Sequence, residues 1–282
     1  MTVLGGLVAA ISWSAAGLIA SLAGRAVGAK VALAWVNIVT LPLAFAVAVV
    51  VDGVPHPGRG DLIAVTVYGV AMVGALYAAF EAMTIGPVGL VAPVISTEGA
   101  IAALGGVVLG ESVAGITGVA LAVVVTGVVI SAVETGPAGL RAVRGADRRA
   151  FLFAAAGALL FGTTLVAGSR TDGFGAFWTI AISRVFGVAL FSLPYLSHRR
   201  FVAPTGVWRF VVLNGVFDIV GFGAYITATG DGVAIPAVLA SQYATIVAVV
   251  GYLAFGERLG RIQWVGVVLA IAGTTVVAAT SG

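Results

Sequence analysis

The sequence predicts an all-α membrane protein of ten transmembrane helices, arranged as two inverted repeats of five. Three observations carry this. Of the 282 residues, 61% are hydrophobic and only 9% are charged, whereas a soluble domain runs at about half and a quarter. The apolar residues gather into ten runs, most long enough to cross about 30 Å of hydrocarbon at 1.5 Å per helical residue. Features of the first five runs also reappear in the last five at a shift of about 146 residues, the kind of internal symmetry found in transporters.

In chain order the runs are Val3 to Leu22, Val31 to Val51, Leu62 to Met83, Val88 to Leu109, Val113 to Val133, Ala150 to Gly168, Gly175 to Tyr195, Gly206 to Thr229, Val233 to Phe255 and Ile262 to Ala279. The first contains Ser21-Leu22-Ala23, which looks like a signal cleavage site. It has no basic segment before it and is longer than a signal core, so a retained span is expected. Between the fifth and sixth runs lies Glu134 to Arg149, with Arg141, Arg144, Arg148 and Arg149 among Gly and Pro. It reads as a basic linker dividing residues 1–133 from residues 150–282. Cysteine is absent, which excludes disulfides, thiolate metal sites and thiol nucleophiles. The sequence pI is about 9.6, but the Arg residues sit in short segments between runs. They read as topology signals rather than a nucleic-acid footprint.

The repeat shows in particular residues. Gly110-Glu111-Ser112-Val113 falls on Gly256-Glu257-Arg258-Leu259, Gly127 on Gly273, and Gly69-Val70 on Gly215-Val216, while Ser12-Trp13-Ser14 falls near Leu160-Phe161-Gly162. An odd number of spans per half makes the second half enter the membrane from the opposite side, so the repeat is inverted. Five plus five spans, an aromatic followed by a small residue in the first run of each half, and the two Gly-Glu turns resemble the EamA-type drug/metabolite transporter superfamily. Gly256-Glu257-Arg258-Leu259 carries the likeness best, and the first copy departs from it at Ser112-Val113. The resemblance implies a ten-helix fold around a central cavity and movement of small metabolites, with no particular substrate. Physically, Gly permits a left-handed helix end and Glu sits at headgroup level. Glu111 and Glu257 are therefore expected to be structural rather than coupling residues.

Ionisable residues at membrane depth are costly and mark candidate function. Glu98, Arg184 and Asp218 fall near the middle of their runs, and Glu81 falls near a run's end. Arg184 and Asp218 flank one connection at similar depth and are candidate partners. The pair serves either packing or substrate binding. No Lys lies within a run, so Glu98 is left without a basic partner. It and Asp218 are the proton-coupling candidates, the alternative being a permanently neutral, hydrogen-bonded Glu98. Interrupted spans point to transporter sites because freed carbonyls can face a ligand. Pro93 and Pro236, each four residues after a Gly, are the expected helix breaks. Ser96-Thr97-Glu98 and Ser241-Gln242-Tyr243 follow them as ligand segments. Trp13 and Tyr243, the deepest aromatics, are candidate cavity walls, with Tyr77, Phe161, Trp178 and Tyr225 as further aromatics.

These features point to a secondary transporter, expected in the plasma membrane as a multi-pass exporter. It needs no cofactor, metal or nucleic acid, and is expected to act as a monomer or homodimer. One buried Arg, two or three buried acids and aromatics suit a small amphipathic metabolite such as an amino acid. Cationic drugs or polyamines are the alternative, and protons are the candidate coupling ion. An intramembrane enzyme would call for motifs such as His-Glu-x-x-His or Gly-x-Ser-x-Gly, which are missing. A channel would more often use rings of like residues in an oligomer. Eleven Lys and Arg residues fall on the face opposite the termini, against Arg59 and Arg170 on the other. The positive-inside rule then puts the termini outside the cytoplasm, whereas the resemblance implies the reverse orientation for many relatives.

Overall fold

A computed structural model describes residues 2–86, 88–111, 115–131, 146–197, 206–243, 245–247, 249–250 and 260–280. Among these residues the chain is helical with no strand. Three long helices open each half. They are α1 (Thr2–Val27), α2 (Ala29–Val51) and α3 (Arg59–Ile85), then α7 (Ala146–Gly168), α8 (Ala176–Ser197) and α9 (Trp208–Ala228). These six carry segments long and apolar enough to cross a membrane. The remainder of each half is shorter: α4 (Val88–Ile95), α5 (Glu98–Val108) and α6 (Gly115–Ser131), then α10 (Ala234–Ala240) and α11 (Arg261–Thr280). The Gly256-Glu257-Arg258-Leu259 turn and most of the basic linker lie outside the described residues.

The turns follow from residue type. One residue, Gly28 at φ +90°, separates α1 from α2, a backbone conformation that only glycine adopts without strain. Gly110, at φ +98°, ends α5 in the left-handed region, and the Glu111 N–H returns to the Gly106 carbonyl at 3.0 Å. This is the glycine-terminated helix end that the Gly-Glu pair predicts. In α8 the segment Gly187–Ser192 widens into a π turn just before Pro194, which has no N–H to continue the ladder.

The helix pairings exchange when the halves are exchanged. α1 packs along α9, and α3 packs along α7. α2 lies against α8, α6 against α11 and α5 against α10. Small residues allow the close approaches. A Cβ on Gly127 would lie 2.8 Å from the Gly266 carbonyl oxygen, and one on Gly273 would lie 3.0 Å from that of Ala120. The matched glycines therefore occupy two sides of one α6–α11 contact, as expected where helices associate by van der Waals packing in lipid. Large apolar side chains such as Val50, Val108, Leu159 and Val268 point outward, which suits a hydrocarbon surround.

The contact at Gly127 is testable. Gly127→Leu should lower thermal stability in detergent by about 1–3 kcal/mol through overpacking. Gly60→Ala, where a Cβ meets nothing within 4 Å, should leave the melting curve unchanged.

Candidate functional site

The fourth helix of each half breaks at matching residues. α4 stops at Ile95 and α5 starts at Glu98, and α10 stops at Ala240 with the helix resuming at Tyr243. At each break one hydrogen bond shortens its span. The Thr97 N–H bonds the Val94 carbonyl at 3.3 Å, and the Gln242 N–H bonds the Leu239 carbonyl at 3.1 Å. Ser96-Thr97 and Ser241-Gln242 are thus the turns themselves, and hydroxyls help to hold them. Thr97 Oγ1 donates to Val94 O at 2.8 Å and Ser241 Oγ to Val238 O at 2.7 Å.

The prolines expected to make the breaks do so less directly. Pro236 sits in the first turn of α10, where a missing N–H has no intrahelical partner to lose. The second break lies five residues further on, at Ser241. Pro93 lies inside α4, where it removes a bond just before the first break; its side chain is outside the described residues.

The two breaks meet. Gly99 lets α5 approach α10 so closely that a Cβ there would stand 2.6 Å from the Ala237 carbonyl oxygen and 2.7 Å from Ser241 Cβ. Tyr243 donates its hydroxyl to the Ala92 carbonyl at 3.0 Å, and Ser14 Oγ donates to the Tyr243 carbonyl at 3.1 Å. One residue of the second half thereby joins α4 and α1 of the first.

Beside this crossing lies a partly open cavity of about 80 Å³, room for several waters or a small organic group. Its wall combines Trp13 with Ala16, Gly17 and Ala20 of α1, and Leu76, Ala79, Phe80 and Met83 of α3. Ile95, Glu98, Phe161, Asn214, Asp218, Phe222 and Tyr243 complete it. Trp13 and Phe161, placed near one another by the repeat, contribute from opposite halves. Phe222 packs 4.7 Å from Trp13 and 6.4 Å from Phe161 between ring centroids. Gly221 makes room for the indole, since a Cβ there would lie 2.5 Å from Trp13 Nε1.

Four of the expected site residues thus line one cavity: Trp13, Glu98, Asp218 and Tyr243. Arg184 does not. It is 1% exposed, behind Asp218, with which it forms an ion pair, and its other terminal nitrogen donates to Asn37 Oδ1 at 3.5 Å. Ser96, Thr97, Ser241 and Gln242 also stand off the lining, in the breaks. No Lys or Arg among the described residues lines the cavity. Glu98 is 4% exposed, and no described residue donates a hydrogen bond to it.

Two uncharged residues that a search for ionisable groups passes over matter here. Asn37 stands beside Arg184, and Asn214, on the cavity wall, donates to the Ala16 carbonyl at 2.7 Å. Their signal was an amide inside an apolar run. Glu111, expected to be structural, reaches across the halves. Its carboxylate accepts from the N–H groups of Val233 at 2.8 Å and Ala234 at 3.2 Å, at the start of α10.

Apolar helices, six of them long enough to cross a membrane, packed by exchange of two halves around an aromatic-walled cavity that holds two carboxyl residues are the architecture of a multi-pass integral membrane protein with a central binding space. The chain belongs to the EamA-like transporter family, whose model matches residues 1–133 and 148–279, one copy per half. Among solved structures, 26 chains match. One, described only as "Crystal structure of protein", shares the fold with a TM-score of 0.76 at 20% identity, over 98% of each chain. No curated protein matches.

The ion pair makes a prediction of its own. Arg184→Met alone should cost about 3–5 kcal/mol, because Asp218 would be left buried without its cation. Adding Asp218→Leu should recover most of that loss, read as thermal unfolding of the purified single and double variants.

Proposed function

We propose that the chain is a secondary transporter that works by alternating access. Ten spans, five in each half and inverted between halves, would rock around the cavity at the crossed breaks. The substrate class we favour is a small amphipathic amine or organic cation, moved in exchange for a proton held by Glu98. One observation carries this reading: the carboxyl group of Glu98 faces an aromatic-walled cavity and receives no hydrogen bond from any described residue. A carboxylate buried without a donor is expensive, and a cation or a proton relieves that cost. Trp13, Phe80, Phe161, Phe222 and Tyr243 supply ring faces for the rest of such a ligand.

An amino acid fits less well. Its carboxylate would meet Asp218 and Glu98 with no free cation among the described wall residues, because Arg184 is already bound to Asp218. The expected setting is the plasma membrane, with export as the direction.

A thermal-shift screen of purified protein against aromatic cations, polyamines, purines and amino acids tests the substrate class. Aromatic amines or cations should raise the melting temperature, and Glu98→Gln should abolish the shift. Stabilisation by zwitterionic amino acids that survives Glu98→Gln would sink the cation reading. In proteoliposomes, counterflow of whichever compound stabilises should vary with pH in the parent protein and be lost in Glu98→Gln. Trp13→Ala should weaken apparent affinity for an aromatic cation by about 2- to 30-fold, the range of a single cation–π contact.

A further inference from the structure

On the face where α1 starts and α5 ends, three carboxylates of the first half accept backbone N–H groups of the second. Asp52, just after α2, accepts from Phe177 at 2.7 Å and Trp178 at 3.0 Å, in the first turn of α8. Asp61 accepts from Gly173 at 3.1 Å, in the α7–α8 connection, and from Gly58 at 2.7 Å within its own turn. Glu111 accepts from Val233 and Ala234. Two further bonds join the same loops: the His56 N–H to the Gly173 carbonyl at 2.8 Å, and Trp178 Nε1 to the Gly53 carbonyl at 2.6 Å.

We propose that Asp52, Asp61 and Glu111 form the gate of this face, holding it shut by bonds that must release together when it opens. The inference rests on the alternating-access reading. Three features distinguish a gate from ordinary helix capping. Every acid belongs to the first half and, Gly58 apart, every donor to the second, so a motion of half against half strains all the bonds at once. The cavity also has packed side chains toward this face. Phe222, on the cavity wall, sits against Trp13 and Tyr68, and one turn nearer the face the Tyr225 hydroxyl bonds the Leu165 carbonyl at 3.2 Å. Finally, carboxylate–amide bonds are strong when formed, but at a membrane face water can replace both partners. A latch that must break and remake many times requires that property.

The chain has no cysteine, so spin labels can be placed singly at Val54→Cys, on the α2–α3 connection, and Gly230→Cys, before α10. Their distance in nanodiscs, measured by electron–electron resonance, reads this face directly and needs no substrate. The parent protein should give one dominant short distance. Glu111→Gln, and likewise Asp52→Asn, should raise a longer-distance population by about tenfold, as expected when a hydrogen bond to a charged group is lost from one of two states. Val233→Pro removes a donor instead of an acceptor, at a position just before the helix where proline is tolerated. It should produce the same longer distance, and it tests the gate if an acid variant fails to fold. An unchanged distance distribution in folded variants, even with lowered melting temperature, would reduce the carboxylates to helix caps and overturn the proposal. A widened distance in a protein that moves none of the screened compounds would uphold the gate and count against the transporter reading alone.

Discussion

The bond between Arg184 and Asp218 sets the charge of everything around it. Arg184 is the one basic residue near the middle of an apolar run, and at 1% exposure it has no water to retreat to. Placed on the cavity wall it would attract anions. Bound to Asp218 and touched by Asn37, it contributes no net charge and ties α8 to α9 and α2. Glu98 is then the cavity-lining carboxyl group that has no basic partner among the described residues. Under the proposed function the pair acts indirectly, since by closing on itself it leaves Glu98 as the acid that a ligand would meet.

The second constraint is that hydrocarbon offers no hydrogen bonds to the backbone. A helix broken at mid-depth has to find its partners within the protein, and here each break finds them locally and in the other half. Shortened hydrogen bonds and the hydroxyls of Thr97 and Ser241 satisfy carbonyls near the turns. Tyr243 supplies the Ala92 carbonyl next to Pro93. Gly99 is what permits this, because any larger residue would hold α5 away from Ala237 and Ser241. Crossing and cavity are one device: the breaks bend two helices past each other, and the space beside the bend is where Glu98 and Tyr243 face Trp13.

Much of this was legible in the sequence, and the reasons differ by level. The runs of the long helices were readable because hydropathy needs only composition along the chain, and α1, α2, α3, α7, α8 and α9 follow their apolar runs closely. Pairing of Arg184 with Asp218 was readable because charge at depth has few solutions. The exact seat of the second break was not. Proline marks a break only inside a helix, and where α10 begins depends on Glu111, 122 residues away, capping its first N–H groups. Nor could the sequence tell that Arg184 points away from the cavity, since depth along a run says nothing of rotation about the helix. Asn37 and Asn214 escaped for a simpler reason: an amide is cheaper to bury than a charge, and stands out less.

A site that binds and releases at mid-membrane cannot be built from groups that satisfy one another. Arg184 and Asp218 do, and exchanging that pair for a ligand would expose two desolvated charges in place of one bond. Glu98 is the opposite case. At the start of α5 it gains something from the helix N-terminus, and among the described residues it has no fixed donor to give up to the ligand or proton of the proposed cycle. The same reasoning explains the division of labour between the acids. Those whose partners are backbone N–H groups, Asp52, Asp61 and Glu111, lie at a face, where water can take over when the bonds part. Glu98, with no donor among the described residues, lies on the cavity wall, where under the proposed cycle cargo or a proton takes that place.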